Sequence, residues 1–198
     1  IDKAAFFNKY SLDKGRPVLV LFPGSRQQEV DRHLPIFIKV VSLLNNDDVQ
    51  IIVGKVPQVT LGEIPNNWKV EEEDTSLCLE YGTAVLTASG TATLQSAVQD
   101  IPAVVSYKMS SGSWLLAKNM SKVPFAAMTN LIAGKQIVPE FLQADMTPKN
   151  LANAIQPLLS NTAERKEMLI GYEQVRRTLG MPGVYERAAD AILSRTFT

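Results

Sequence analysis

The chain has 198 residues, and its 20 Lys and Arg are balanced by 20 Asp and Glu, giving a formal net charge of zero. That balance argues against a dedicated nucleic-acid binder, which needs a basic surplus on some face. One cysteine, Cys78, and one histidine, His33, exclude an internal disulfide framework, a multi-cysteine zinc site and any chemistry that needs two imidazoles.

Residues 17–22 are short, β-branched and apolar on both faces, the pattern of a buried parallel strand. The run is far shorter than the ~20 residues of a membrane-spanning helix. Pro23-Gly24-Ser25-Arg26 follows, then a helix to about residue 44, with Val30, Leu34, Phe37, Val41 and Leu44 on one face. Ser25 followed by Gln28 matches a capping box that starts this helix. Residues 49–53 form a second strand and 68–70 a short third, joined by a connection rich in Pro, Gly and Asn. The acidic run 71–74 reads as a solvated turn ahead of a helix that carries a buried, inert Cys78.

Residues 84–87 are the next buried strand, ending in Ser89-Gly90-Thr91. A helix follows with Leu94, Ala97 and Val98 turned inward, then a strand at 103–107. Strand, tight loop and helix thus repeat at least three times, which argues for an α/β fold, a parallel sheet flanked by helices. Beyond Lys108 the pattern is mainly helical. Trp114, Leu115, Leu116 and Met120 read as core packing, and Glu140 as the opening of a short helix. Thr147-Pro148 starts a helix to about residue 159. Further helices are expected at 162–179 and 184–194.

In such a sheet, ligands bind outside the carboxyl ends of the strands, where loops meet helix N-termini. Gly24 lets backbone approach a phosphate, the helix starting at Ser25 points its N–H groups there, and Arg26 adds a cation. Ser89, Gly90 and Thr91 offer a similar donor array, so two loops together suit a diphosphate. Neither Gly-x-x-x-x-Gly-Lys-Ser/Thr nor Gly-x-Gly-x-x-Gly is present. His33 reads as structural rather than as a ligand.

Five ordered blocks carry a resemblance. They are Leu21-Phe22-Pro23-Gly24-Ser25-Arg26-Gln27-Gln28-Glu29-Val30, Ala88-Ser89-Gly90-Thr91-Ala92-Thr93-Leu94, Pro102-Ala103-Val104-Val105-Ser106-Tyr107-Lys108, Asn130-Leu131-Ile132-Ala133-Gly134 and Val138-Pro139-Glu140-Phe141-Leu142-Gln143. Together they resemble the C-terminal half of the lipid-A-disaccharide synthases, bacterial glycosyltransferases of two-domain GT-B architecture. The resemblance implies a Rossmann-like, UDP-sugar-binding domain over 17–198, ending in helices, with 1–16 as the interdomain connection. It implies transfer of 2,3-diacylglucosamine from UDP to the 6-hydroxyl of 2,3-diacylglucosamine 1-phosphate, with inversion, no metal, and the UDP moiety in place of a cofactor.

Carried across, Arg26 stabilises the leaving UDP as the catalytic residue, while Gly24, Ser25, Ser89, Gly90 and Thr91 wrap the phosphates. Asn130 then lies near the nucleotide. Where the family pattern has a ribose-binding glutamate, this chain has Gln95, which keeps an acceptor oxygen but loses the charge. The family's N-terminal acceptor domain has no counterpart in these 198 residues, so the chain is expected to be part of a longer polypeptide and inactive alone. Also implied are a homodimer with helices after Thr147 swapped, and a cytoplasmic location on the inner face of the inner membrane. Two alternatives stay open: another GT-B enzyme using UDP-N-acetylglucosamine, and a non-catalytic UDP-sugar-binding module.

Overall fold

The computed structural model describes residues 1–44, 47–88, 90–109, 124–180 and 183–196. Among them six strands form one parallel sheet: β1 (Val18–Phe22), β2 (Gln50–Gly54), β3 (Lys69–Glu71), β4 (Ala84–Thr87), β5 (Ala103–Tyr107) and β6 (Glu140–Leu142). Their order is β3-β2-β1-β4-β5-β6, so the chain winds outward from β1, returns to its other side and winds away again. Leu19 pairs with Ile51 on one flank and Ala84 on the other. The first four residues of β1 and all of β4 are buried. Both faces of these strands are therefore covered, which is why they are apolar without alternation.

The helices are α1 (Lys3–Lys9), α2 (Gln27–Leu44), α3 (Ser76–Tyr81), α4 (Gly90–Val98), α5 (Met128–Ala133), α6 (Pro148–Ile155), α7 (Ala163–Leu179) and α8 (Val184–Thr196). α2 packs with α6, while α4 packs with α5 and α7. With both faces of the central strands covered, these two groups occupy opposite faces. Thr147 and Thr162 cap α6 and α7 through their hydroxyls, the first as Thr-Pro predicts. Arg165 ties α7 to the sheet by donating to the carbonyl of Thr83 at 2.7 Å.

Several expectations are corrected. In α2 the inward residue is Val40 and Val41 is half-buried, because His33 shares the buried face and turns it slightly. In α4 the buried residues are Ala92, Thr93, Ser96 and Ala97, leaving Val98 exposed. Glu140 opens a strand, β6, rather than a helix; its carboxylate instead accepts the N–H groups of Ala126 and Ala127 at the start of α5. Trp114, Leu115, Leu116 and Met120 lie outside the described residues. Residues 1–16 fold onto the domain: Asp2 caps α1 and Phe6 is fully buried, its ring 5.1 Å from that of Tyr10 and 5.3 Å from that of Tyr81.

The acidic run is not uniformly solvated. Glu71 is 1% exposed, while Glu72, Glu73 and Asp74 are exposed. Its carboxylate accepts the Tyr10 hydroxyl, the Lys9 ammonium at 3.4 Å and the N–H groups of Glu73 and Asp74 at 2.7 and 3.1 Å. Burial pushes this carboxyl up, but these hydrogen bonds outweigh it and hold it below the ordinary 4.5. Its stabilising contribution is therefore complete above pH 4.5 and lost as pH falls through the lower folded value. Glu71→Ala strands the Tyr10 hydroxyl and two backbone donors, and is expected to cost roughly 2–3 kcal/mol in chemical denaturation at pH 7. The deficit should shrink as the pH is lowered into the acid range.

Candidate functional site

The strand order reverses at β1, so the loops after β1 and β4 part there and leave a crevice at the carboxyl end of the sheet. A cleft of about 240 Å³ opens at this point. It collects Gly24 and Ser25 from the turn after β1, and Thr91 and Gln95 from α4. Lys55, Thr75 and the ring of Phe22 complete its wall. Four of the residues expected from sequence thus come together, and Gly90 sits beside them as the first residue of α4. Ser89 lies outside the described residues. Lys55 and Thr75 escaped sequence reading; the only trace of Lys55 is its place directly after a buried strand. Its ammonium pairs with Glu72.

Arg26 lies on the other side of the turn. It lines a second cleft of about 510 Å³ with Gln28, Glu29, Arg32, Tyr107 and Met109. Its side chain is 79% exposed and pairs with Glu29 at 3.2 Å. A third cleft, about 460 Å³ between residues 135–137 and α7, precedes β6 and so opens at the amino end of the sheet, where such folds do not hold their ligands.

The turn after β1 is built around Glu29. α2 begins at Gln27, so Glu29 is its third residue and folds back over the preceding turn. Its Oε2 accepts the N–H groups of Ser25 at 3.0 Å and Arg26 at 3.3 Å. This replaces the expected capping by Ser25 and Gln28, and it means these two N–H groups are already satisfied by the protein. Oε1 accepts the Tyr107 hydroxyl at 3.0 Å. Gly24, at φ +141°, is required for the same reason: a Cβ there would stand 2.4 Å from that of Glu29. Gly90 likewise makes room for the Ala126 carbonyl, 2.5 Å from where a Cβ would be. Burial pushes the Glu29 carboxyl up, yet the bonds from Ser25, Tyr107 and Arg26 hold it below 4.5, so it is charged at neutral pH.

Asn130 is fully buried, and its amide is spent on the chain ahead of β6. Nδ2 donates to the Val138 carbonyl at 2.8 Å and to Glu140 at 2.7 Å, while Oδ1 accepts the N–H groups of Ile137 and Val138. Two donors and two acceptor positions are thereby filled. Asn130 shapes the 126–140 segment that packs against Gly90.

His33 is buried beneath the turn and joins two strand ends. Nδ1 faces the Pro23 carbonyl at 2.8 Å, and Nε2 accepts the N–H of Lys108 at 3.0 Å. Those partners fix the neutral tautomer with its proton on Nδ1. Cys78 is buried, its thiol pushed up to about 12 by burial first and then by the Glu71 and Asp74 charges. Among the described residues no group of three or more His, Cys, Asp or Glu could hold a metal ion, and no helix is long and apolar enough to cross a membrane.

A six-stranded parallel sheet in this order, with its polar loops at the strands flanking the reversal, defines a Rossmann-like α/β domain, the fold that solved GT-B glycosyltransferases share with it. The calicheamicin glycosyltransferase CalG4 superposes with a TM-score of 0.62 at 16% identity, over 93% of this chain and 45% of that one. The ADP-heptose heptosyltransferase II of E. coli superposes at 0.54 and 13% identity, over 79% of this chain and 50% of that one. The lipid-A-disaccharide synthetase family profile matches residues 2–193. The lipid-A-disaccharide synthase of Solibacter usitatus is 34% identical over 97% of this chain and 52% of its own length, and that of Prochlorococcus marinus 34% identical over 100% and 54%. The chain belongs to the lipid-A-disaccharide synthetase family, and it spans about half the length of the curated relatives it matches.

Burial lowers the His33 pKa from the ordinary 6.5, against the opposing pull of the Pro23 bond and the Glu29 charge. Protonation at Nε2 would also set two donors against each other at Lys108. Stability is therefore full above 6.5 and declines as pH falls below it. The thermal midpoint should drop as the buffer is lowered through pH 6.5, and a His33→Gln variant should lose that step.

Proposed function

We propose that this chain binds the UDP portion of a sugar donor and supplies the donor side of a lipid-A-disaccharide synthase. The observation that carries this reading is the cleft at the strand reversal, which gathers Gly24, Ser25, Thr91 and Gln95 with Lys55 and Thr75. In this reading the nucleoside occupies that cleft and Gln95 accepts from a ribose hydroxyl. The diphosphate runs past Ser25 and the N-terminus of α4 towards Arg26 on the far side of the turn. With the N–H groups of Ser25 and Arg26 held by Glu29, the donors left to it include the Arg26 guanidinium and the Ser25 and Thr91 hydroxyls.

The reaction proposed is transfer of 2,3-diacylglucosamine from UDP to the 6-hydroxyl of 2,3-diacylglucosamine 1-phosphate, with inversion. Leaving UDP carries growing negative charge, which Arg26 and the helix dipole stabilise without a divalent cation. The catalytic base and the acylated acceptor belong, in this reading, to an N-terminal domain. The proposal extends to both acylated substrates, to work at the cytoplasmic face of the inner membrane, and to a homodimer through the C-terminal helices. α8, with Tyr185, Ile192 and Leu193 exposed, is compatible with that last role.

Calorimetric titration with UDP tests the reading. Saturable UDP binding is expected, ADP should compete poorly, and Arg26→Ala should weaken UDP by roughly tenfold, as for a charge-assisted contact partly screened by solvent. Absence of UDP binding would overturn it. Gln95→Glu restores a charged acceptor at the ribose and is expected to tighten UDP by about threefold in the same titration.

A further inference from the structure

The four hydrogen bonds to Glu29 come from three different sources: the backbone of the turn, the side chain of Arg26 and the end of β5. An anion bound against this turn would ordinarily take the N–H groups of Ser25 and Arg26, but Glu29 fills them. Besides the Ser25 hydroxyl, the turn still offers the Arg26 guanidinium, a planar fork of five N–H donors. Nη1 is engaged by Glu29 Oε1 at 3.2 Å, leaving the rest of the fork for an anion.

We propose that Glu29 is a positioning residue that sets the orientation of the Arg26 guanidinium for the donor diphosphate, acting through Arg26 without touching the ligand. This rests on the reading of the turn as the diphosphate site. A side chain 79% exposed otherwise samples many rotamers, and fixing it on binding would cost affinity. Glu29 removes part of that freedom beforehand. Its own side chain is only 12% exposed, and the Tyr107 hydroxyl anchors it to β5. The direction of Arg26 is thus referenced to the sheet rather than to a surface loop. Gly24 is part of the same device, because any side chain there would push Glu29 off the turn.

The test is a double-mutant cycle read by UDP titration of the 198-residue chain: Arg26→Ala, Glu29→Gln and the two combined, with thermal melts to establish folding. Glu29→Gln keeps the shape and one acceptor oxygen but loses the charge. It is expected to weaken UDP about fivefold when Arg26 is present and less than about twofold when residue 26 is alanine, since coupled residues are not additive. Tyr107→Phe, run through the same cycle, is expected to weaken UDP by about two- to threefold only when Arg26 is present. This second cycle decides the matter if Glu29→Gln does not fold.

Failure to bind UDP, or an Arg26→Ala variant with unchanged affinity, overturns the site reading and this proposal with it. A real Arg26 effect with equal losses from Glu29→Gln in both backgrounds leaves the site standing and overturns the positioning role. An unchanged affinity in Glu29→Gln overturns it as well.

Discussion

The Glu29 carboxylate reaches back one helical turn to the N–H groups of Ser25 and Arg26, and that contact settles the shape of the carboxyl end of the sheet. A helix start leaves backbone donors without intrahelical partners, so something must satisfy them. Here the helix supplies its own anion. Gly24 must then lack a side chain, Arg26 is turned to the far side of the loop, and Tyr107 is drawn in from β5. Beneath this layer His33 joins the carbonyl of Pro23 to the N–H of Lys108, so the strand ends of β1 and β5 are tied twice, once by a carboxylate and once by a neutral imidazole.

The two glycines show how a motif can be required for a reason its pattern does not announce. From sequence, Gly24 and Gly90 are places where backbone could approach a phosphate. In the structure each instead accommodates another part of the protein, the Glu29 side chain and the Ala126 carbonyl. In the proposed diphosphate site, the donors these loops offer are side-chain groups, the Arg26 guanidinium and the Ser25 and Thr91 hydroxyls. An acidic side chain beside a proposed anion site looks contradictory only until its four donors are counted. A carboxylate so fully hydrogen-bonded is paired with the Arg26 guanidinium and lends its partners a fixed geometry.

The strands buried on both faces were legible because burial writes a continuous apolar run: β4 and β5 match their expected limits, and β1 differs by one residue. β6 was not legible, since an edge strand of three half-buried residues has neither alternation nor an apolar run. Glu71 and Glu29 were missed for a common reason. Each is tied to a distant tyrosine, Tyr10 lying 61 and Tyr107 78 residues away, which no local pattern encodes. The local reach of Glu29 to the N–H groups of Ser25 and Arg26 was hidden by reading Ser25 and Gln28 as the capping pair. At the site, Gly24, Ser25, Thr91 and Gln95 were readable from loop position. Lys55 and Thr75 were not, because only the strand order brings the end of β2 and the start of α3 to the same crevice.

The pairing of β1 with β4 has a kinetic side. Leu19 lies beside Ala84, 65 residues later (84 − 19), so the centre of the sheet forms only after a long loop has closed. The crevice depends on that same long-range pairing. Chains in which β1 has met β2 but not β4 contain the turn at Gly24 and yet no cleft. A ligand held there consequently has no foothold on partly folded chains, and its whole binding free energy appears as added stability of the finished domain.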